Sequence, residues 1–308
     1  MKPEIRISVI IPQRDSLNTL GKLLKSIPER DDIEVIVVDN TPMPVTKDDI
    51  AVDRNYTLLW SAPERHAGGA RNVGMENANG QWLVFADADD YFADGAFDVF
   101  FSKIDSDVDI VYSCMRGVYL DSDEKCDRGK EWTALVRGYL DKSLTEEDLR
   151  LRFASPVCKM IRRELVERHN LKYDEIRAGN DVYFSISSGF LARRIDAVPD
   201  ITYVVTLSKN SLTHIKSSEV LIARMYARLH CNEFLREHGF YNRQGSILFL
   251  LYKSLSFGLK PFFQCIALNV RFRQNPFVGI SRMRKSYYKK KEQKERDKRL
   301  FFKGGPIN

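Results

Sequence analysis

Along the first 115 residues, apolar and polar positions alternate between two rhythms. "RISVIIP" ending at Pro12, "IEVIVVDN" closing on Asp39, "YTLLWS" and "QWLVFAD" are short, rich in Val and Ile, and read as buried strands. "SLNTLGKLLKSI" instead sets Leu17, Leu20, Leu23, Leu24 and Ile27 on one helical face, with Asp15 or Ser16 as its cap. "GGARNVGMENANG" reads as a glycine-rich turn leading into a short helix, "ADGAFDVFFSKI" as a helix capped by Asp94, and "VDIVYSC" as another strand. The order β-α-β-β-α-β-α-β predicts an α/β fold with a doubly wound, mostly parallel sheet.

Beyond this point the rhythm loosens. The segment from Gly129 to Asn170 is helical in pattern with a short strand near "SPVCKM"; "NDVYFSISSGFLAR" predicts a helix and "ITYVVTL" a strand. After about Ser208 the pattern turns helical, with "SSEVLIARMYARLHCNEFLREHG" and then "GSILFLLYKSLSFGLKPFFQCIALNV", the second interrupted at Pro261. A spanning helix needs about 20 uninterrupted apolar residues. Lys253, Lys260 and Pro261 break the stretch, which leaves an interfacial helix or a packed core helix. The expected organisation is a catalytic α/β domain over 1–210, a helical C-terminal extension over 211–281 and a basic tail over 282–308.

Charge adds to this picture. The net +6 is concentrated in the tail, where Arg282 to Asn308 holds eleven Lys or Arg against three acids, leaving a slightly acidic body. Such a tail suits an anionic membrane surface or plain solvation. Nucleic acid is disfavoured, because a groove of interleaved cations and stacking aromatics is missing from the body. Five cysteines (114, 126, 158, 231 and 265) form no CxxC pair, so neither a zinc cage nor a disulfide framework is signalled, and reduced thiols in a cytoplasmic setting are expected. "MKPEIRISVIIP" has too short an apolar run for a secretory signal.

"WLVFADADDYF" carries the candidate chemistry, since a buried strand delivers Asp87, Asp89 and Asp90 to one spot. In open α/β sheets the carboxyl ends of the strands face a ligand crevice, and Asp39 and Asp87 both stand at such ends. Asp87 and Asp89 point the same way across Ala88, and a hard divalent cation would relieve their repulsion. Alternatively, these acids only cap the following helix or decorate a turn.

In this context the chain resembles the family-2 glycosyltransferases, nucleotide-sugar-dependent enzymes with a GT-A fold. The likeness runs in order through "SVIIPQRD", "IEVIVVDN", "GGARNVGMENANGQWLVFADADD", "SPVCKMIRREL" and "AGNDVYF", over about residues 5 to 210. The resemblance implies that Asp39 accepts the imide N–H of uracil, that Pro12 lines the same base, and that Arg71 lies near the nucleotide. Asp87 would then meet the ribose or a metal-bound water, Asp89 would bind Mn²⁺ or Mg²⁺ on the donor diphosphate, and Asp90 would support the loop. Asp181 in "GNDVYF" matches the catalytic base of "GEDxxF", with Asn180 replacing the usual glutamate. Lys159 is either near the acceptor or phosphate or a snorkelling surface lysine, and His214 in "SLTHIK" is a candidate metal or phosphate contact.

The expected activity is therefore an inverting, metal-dependent transfer of a sugar from a UDP-sugar to a hydroxyl of a glycan or lipid-linked acceptor. The expected place is the cytoplasm, peripheral to the inner face of the membrane. Two alternatives share the architecture: a catalytically inactive nucleotide-binding scaffold, and a nucleotidyltransferase. The latter is disfavoured because "IIPQRDSLNTL" lacks a "GxGTR"-like turn. "GGARNVG" also misses the G-x-G-x-x-G spacing of a dinucleotide site.

Overall fold

A computed structural model of the chain describes residues 4–50, 52–207 and 217–280. Its contacts divide into two compact units, Met1–Ala223 and Arg224–Asn308, with the boundary inside a helix.

In the first unit, β1 (Ile7–Gln13), α1 (Leu17–Lys25), β2 (Ile33–Asp39), β3 (Thr57–Trp60), α2 (His66–Glu76) and β4 (Trp82–Phe85) come first. They are followed by β5 (Tyr91–Phe92), α3 (Ala96–Ser102), β6 (Ile110–Tyr119), β7 (Lys125–Cys126), α4 (Lys130–Leu140) and α5 (Glu146–Arg152). β8 (Lys159–Arg162), α6 (Arg163–Arg168), α7 (Val182–Leu191) and β9 (Ile195–Leu207) complete the sheet and its cover. The strands run in the order β3-β2-β1-β4-β8-β6-β9-β5, with β7 added to β6.

β3, β2, β1 and β4 are mutually parallel, as the Val- and Ile-rich runs predict. Ile7, Val9, Ile10 and Ile11 of β1 have no exposed surface at all. Each such side chain contributes about 1.5–3 kcal/mol on burial, so the register of this half is strongly specified. β8 inserts antiparallel between β4 and β6, and β9 then pairs parallel with β6, giving a mixed, GT-A-like sheet.

Several local expectations are corrected. α2 begins at His66, so Gly68 and Gly69 are not a turn but part of the helix. Their role is close packing, because a Cβ on Gly68 would stand 2.0 Å from the carbonyl oxygen of Asp174. Neither Asp15 nor Ser16 caps α1 with its side chain. Instead the Ser16 N–H donates to Oε1 of Gln13 at 3.0 Å. Asp94 does not cap α3 either, since Gly95 takes the N-cap position with φ 75°.

The second unit holds most of α8 (Ser218–Glu237), then α9 (Leu248–Leu255) and α10 (Leu259–Arg271). The break between the last two falls at Gly258, with φ 103°, rather than at Pro261. Pro261 sits in the first turn of α10, where its missing N–H costs no helix bond. None of the described helices is long and apolar enough to cross a membrane.

Candidate active site

The carboxyl ends of β1, β2 and β4 lie side by side because these strands are parallel and in register, Pro12 opposite Val38 and Gln13 opposite Asp39. Pro12 is buried in β1. Asp39 is 1% exposed and already well supplied with donors. Oδ2 accepts from the Thr41 hydroxyl at 2.7 Å and the Val45 N–H at 3.0 Å. Oδ1 accepts from the Thr41 N–H at 3.3 Å and from Nε2 of Gln13 at 3.4 Å. The Thr41 hydroxyl thus draws the 41–45 loop around Asp39, in the place where the sequence has "DNTP".

Arg71, buried on α2, joins two distant parts of the chain. One guanidinium nitrogen donates to Asp87, just past β4, and another donates to Oδ1 of Asn180 at 3.0 Å, just before α7. Burial works against its charge, but Asp87, Tyr173 and Asp181 outweigh that and hold its pKa above the ordinary value. Asp181, next to Asn180 at the N-cap of α7, is therefore brought near Asp87, close enough for the two charges to interact. Its carboxyl is raised above the usual range, first by burial and further by Asp87, against the opposing pull of Arg71 and Lys159.

The turn itself is tied to β9. The Asp87 N–H donates to the hydroxyl of Tyr203 at 2.9 Å, and the Asp90 N–H donates to the Asp87 carbonyl at 2.9 Å. Thr206 secures the next two residues, its hydroxyl donating to the Asp89 carbonyl and its N–H to the Asp90 carboxylate, each at 2.7 Å. Asp90 is thereby spent inside the protein, and burial plus the charges of Asp89 and Asp87 push its pKa well up. Asp89 keeps an exposed edge. The surrounding protein mass and the charge of Asp87 raise its carboxyl, with Arg128 pulling the other way.

Among the described residues no group of three or more His, Cys, Asp or Glu forms a metal cage. The residues nonetheless fit a diphosphate-bound cation, because Mg²⁺-type ions take one or two carboxylates and draw their other ligands from phosphate and water. Asp89, an exposed hard oxygen donor in an anionic turn, is the residue that would hold it. His214 lies outside the described residues.

Lys159 opens β8 and is fully buried, which sets aside the surface-lysine reading. Its Nζ has no hydrogen-bond partner among the described residues and lies 5.5 Å from the centre of the Phe153 ring and 5.9 Å from that of Tyr112. Burial pushes its pKa down to about 7, opposed by the charge of Asp181. The chain enters β8 through Cys158, which has φ 65° and is held by Ser113 at an irregularity of β6.

Tyr203, Thr206, Tyr173 and Arg128 were not among the sequence candidates. Tyr173 faces Arg71, stacks on Phe184 at 4.0 Å between ring centres, and sits in a segment with no periodicity to reveal it. Tyr203 and Thr206 belong to "ITYVVTL", where alternation marks a strand but not the loop it clamps.

The glycosyl transferase family 2 model matches residues 8–169, which is more than half of the chain and includes Asp39, Arg71 and the Asp87–Asp90 turn. The chain belongs to glycosyl transferase family 2. It is an enzyme of the glycosyltransferase class. Among curated relatives, the uncharacterized glycosyltransferase EpsJ of Bacillus subtilis is 26% identical over 250 residues, covering 78% of this chain and 70% of EpsJ. The poly(ribitol-phosphate) beta-N-acetylglucosaminyltransferase TarS of Staphylococcus aureus is 26% identical over 230 residues, 70% of this chain but only 38% of TarS.

Among solved structures, residues 1–349 of TarS with UDP-GlcNAc superpose with a TM-score of 0.59 at 21% identity, over 87% of this chain and 80% of that one. The mannosyltransferase PcManGT of Pyrobaculum calidifontis, with GDP-Man and Mn²⁺, gives 0.52 at 17% identity, over 92% and 81%. At these identities the structural likeness shows the GT-A fold.

Proposed function

We propose that this enzyme transfers a sugar from a UDP-sugar to a hydroxyl of a glycan or lipid-linked acceptor, with inversion at the anomeric carbon, in the synthesis of a surface polysaccharide. The observation that carries the reading is the Arg71 bridge between Asp87 and Asn180, which joins a diphosphate-side turn to a carboxylate suited to act as base. The UDP-GlcNAc held by TarS supports a uridine donor.

In this mechanism Pro12 and Asp39 border the uracil, beside the 41–45 loop that Asp39 holds in place. Asp181 takes the proton of the acceptor hydroxyl as the acceptor oxygen bonds to the anomeric carbon. The bond from that carbon to the donor phosphate breaks on the opposite face, and the electron pair leaves with UDP. The carboxylate is a weak base at rest, but the hydroxyl acidifies as its new bond forms. Asn180 keeps Arg71 oriented, and Arg71 in turn holds the Asp87 carboxylate in place. A Mn²⁺ or Mg²⁺ at Asp89 would stabilise the charge developing on the departing diphosphate.

Attachment to an anionic membrane is part of the reading. Phe249, Tyr252 and Leu255 on α9, and Leu259, Phe263 and Val270 on α10, are exposed in the second unit beside Lys253 and Lys260. Aromatic and aliphatic side chains flanked by lysines suit the headgroup boundary of a bilayer.

The test is a panel of nucleotide sugars incubated with the enzyme, with and without Mn²⁺. A uridine donor is expected to be hydrolysed or transferred in a metal-dependent way, with kcat falling about 100-fold or more in Asp89→Ala. Metal-independent turnover that Asp89→Ala leaves unchanged would remove the metal role, and no turnover of any nucleotide sugar would remove the activity.

A further inference from the structure

Beside the Asp89 turn the first unit has an open pocket of about 290 Å³ whose lining includes Arg116, Lys125, Arg128, Lys130 and Arg137 and no carboxylate. It is built by the β6–β7 hairpin and the start of α4. The loop after β7 folds back across Gly117, where a Cβ would lie 2.4 Å from the Arg128 carbonyl oxygen and 2.8 Å from Sγ of Cys126. Only glycine lets the cations of this loop close over the strand.

The pocket's distance from the reaction centre follows from the sheet. Thr206, whose hydroxyl holds the Asp89 carbonyl, stands opposite Val118 of β6, and Val118 stands opposite Lys125 of β7. Two strand spacings separate Thr206 from Lys125, about 10 Å. Arg128 stands between them electrostatically, since its charge pulls down the carboxyls of Asp89 and Asp90 against their burial.

Arg128 is partly offset by Asp89 and Asp90, but Arg116, Lys125, Lys130 and Arg137 converge on the same space with no carboxylate in its lining, and an anion there relieves their mutual repulsion. The ion pair of Lys130 with Asp127, 3.6 Å long and exposed on both sides, offsets little of that repulsion. Guanidinium and ammonium groups converging without a carboxylate suit phosphate oxygens. The volume stands at the small end of the roughly 300–1,000 Å³ typical of organic-ligand sites, which suits one phosphate and the unit attached to it.

We propose that this pocket binds a phosphate of the acceptor, so that the acceptor class is a phosphate-bearing one, either a polyol-phosphate chain or a sugar on a lipid diphosphate. The inference rests on the glycosyl-transfer reading above. The phosphate undergoes no chemistry here; it anchors the acceptor so that one of its hydroxyls reaches Asp181.

The test uses the full chain and the double variant Arg116→Ser with Lys125→Ser, its fold checked by thermal unfolding. Transfer is measured to three acceptors: a ribitol-phosphate oligomer, an alkyl-diphosphate-linked N-acetylhexosamine, and a phosphate-free alkyl glycoside. For a phosphate-bearing acceptor, KM is expected to rise about tenfold in the double variant and to rise with salt in the parent enzyme. KM for the phosphate-free acceptor should move less than about twofold. Which phosphate acceptor responds assigns the source. Equal changes for all three acceptors, no change for any, or a rise confined to the donor KM would overturn the assignment. If the parent enzyme turns over no nucleotide sugar, the glycosyl-transfer reading fails by itself. The pocket is then judged by calorimetry: ribitol-phosphate oligomer or alkyl diphosphate binding that the double variant loses supports it, and no binding to the parent overturns it.

Discussion

The two sides of the crevice treat their buried charges in opposite ways. On the side of β1 and β2, the Asp39 carboxylate receives four donors from Gln13, Thr41 and Val45, and Arg71 is shared between Asp87 and Asn180. On the side of β6 and β8, the Lys159 ammonium and the Tyr112 hydroxyl are fully buried and have no partner among the described residues. A buried group without a partner costs about 1–3 kcal/mol, more if charged. The matched side is a cradle whose charges are paired before the ligand arrives, although Arg71 Nε, Asn40 Oδ1 and Ser61 Oγ lack a partner among the described residues. The unmatched side retains its cost in the resting enzyme, as a site does when substrate atoms or a change in protonation complete it.

The strongest way to break this contrast is at Asp181, which lies on its border. Asp181→Asn keeps the size and removes the base, so transfer should fall about 10²- to 10⁴-fold while UDP binding by calorimetry stays within a few-fold. Arg71 holds Asn180 and Asp87 directly, so the cradle should survive the exchange. Equal losses of transfer and of UDP binding would mean that Asp181 belongs to the cradle.

A smaller effect is expected from Asp39→Asn. The amide nitrogen replaces either Oδ2, which accepts from the Thr41 hydroxyl and the Val45 N–H, or Oδ1, which accepts from the Thr41 N–H and Gln13, so a donor meets a donor in a buried place. The expected loss is about 1–3 kcal/mol of stability by urea unfolding, with UDP affinity lowered through the 41–45 loop. An unchanged unfolding midpoint would show that the loop is not tied by this carboxylate and that the matched side is less rigid than its hydrogen bonds imply.

The two halves also differ in how much of them the sequence reveals. β1, β2 and β4 are legible because burial on both faces imposes continuous apolar runs, and Asp39 and Asp87 are legible because such strands end where ligands bind. Gly68 reads as part of a turn because its reason, the Asp174 carbonyl, lies over a hundred residues away in the chain. The same distance hides the Arg71–Asn180 bond, and it hides Tyr203 and Thr206 as clamps of the 87–90 turn. The pattern points to Pro261 for the break before α10 because proline is the louder signal, although in a first turn it breaks nothing and Gly258 makes the bend. Periodicity reports which face is buried. It does not report which buried polar group lacks a partner, so the depth of Lys159 was open until the fold was known.

Lys159→Met is the finest probe of the unmatched side. The folded lysine has its pKa depressed to about 7 from 10.5. Between these values the unfolded chain holds a proton that the folded one has shed, so stability rises with pH through that window and is lost again as pH falls to 7. Two pH units of this rise correspond to of order 2 kcal/mol, a contribution that the Met variant should lack when unfolding by urea is compared at pH 7 and pH 9. The kinetic consequence has its own sign. Below pH 7 the protonated lysine favours the ionised form of Asp181, so removing it should move the acidic limb of kcat/KM to higher pH and lower activity there a few-fold, while rates above pH 8 change little. A limb that stays in place would mean that Lys159 does not act on the base, and an unfolding difference between the two pH values that equals that of the parent would mean that its buried amine is not the group that titrates.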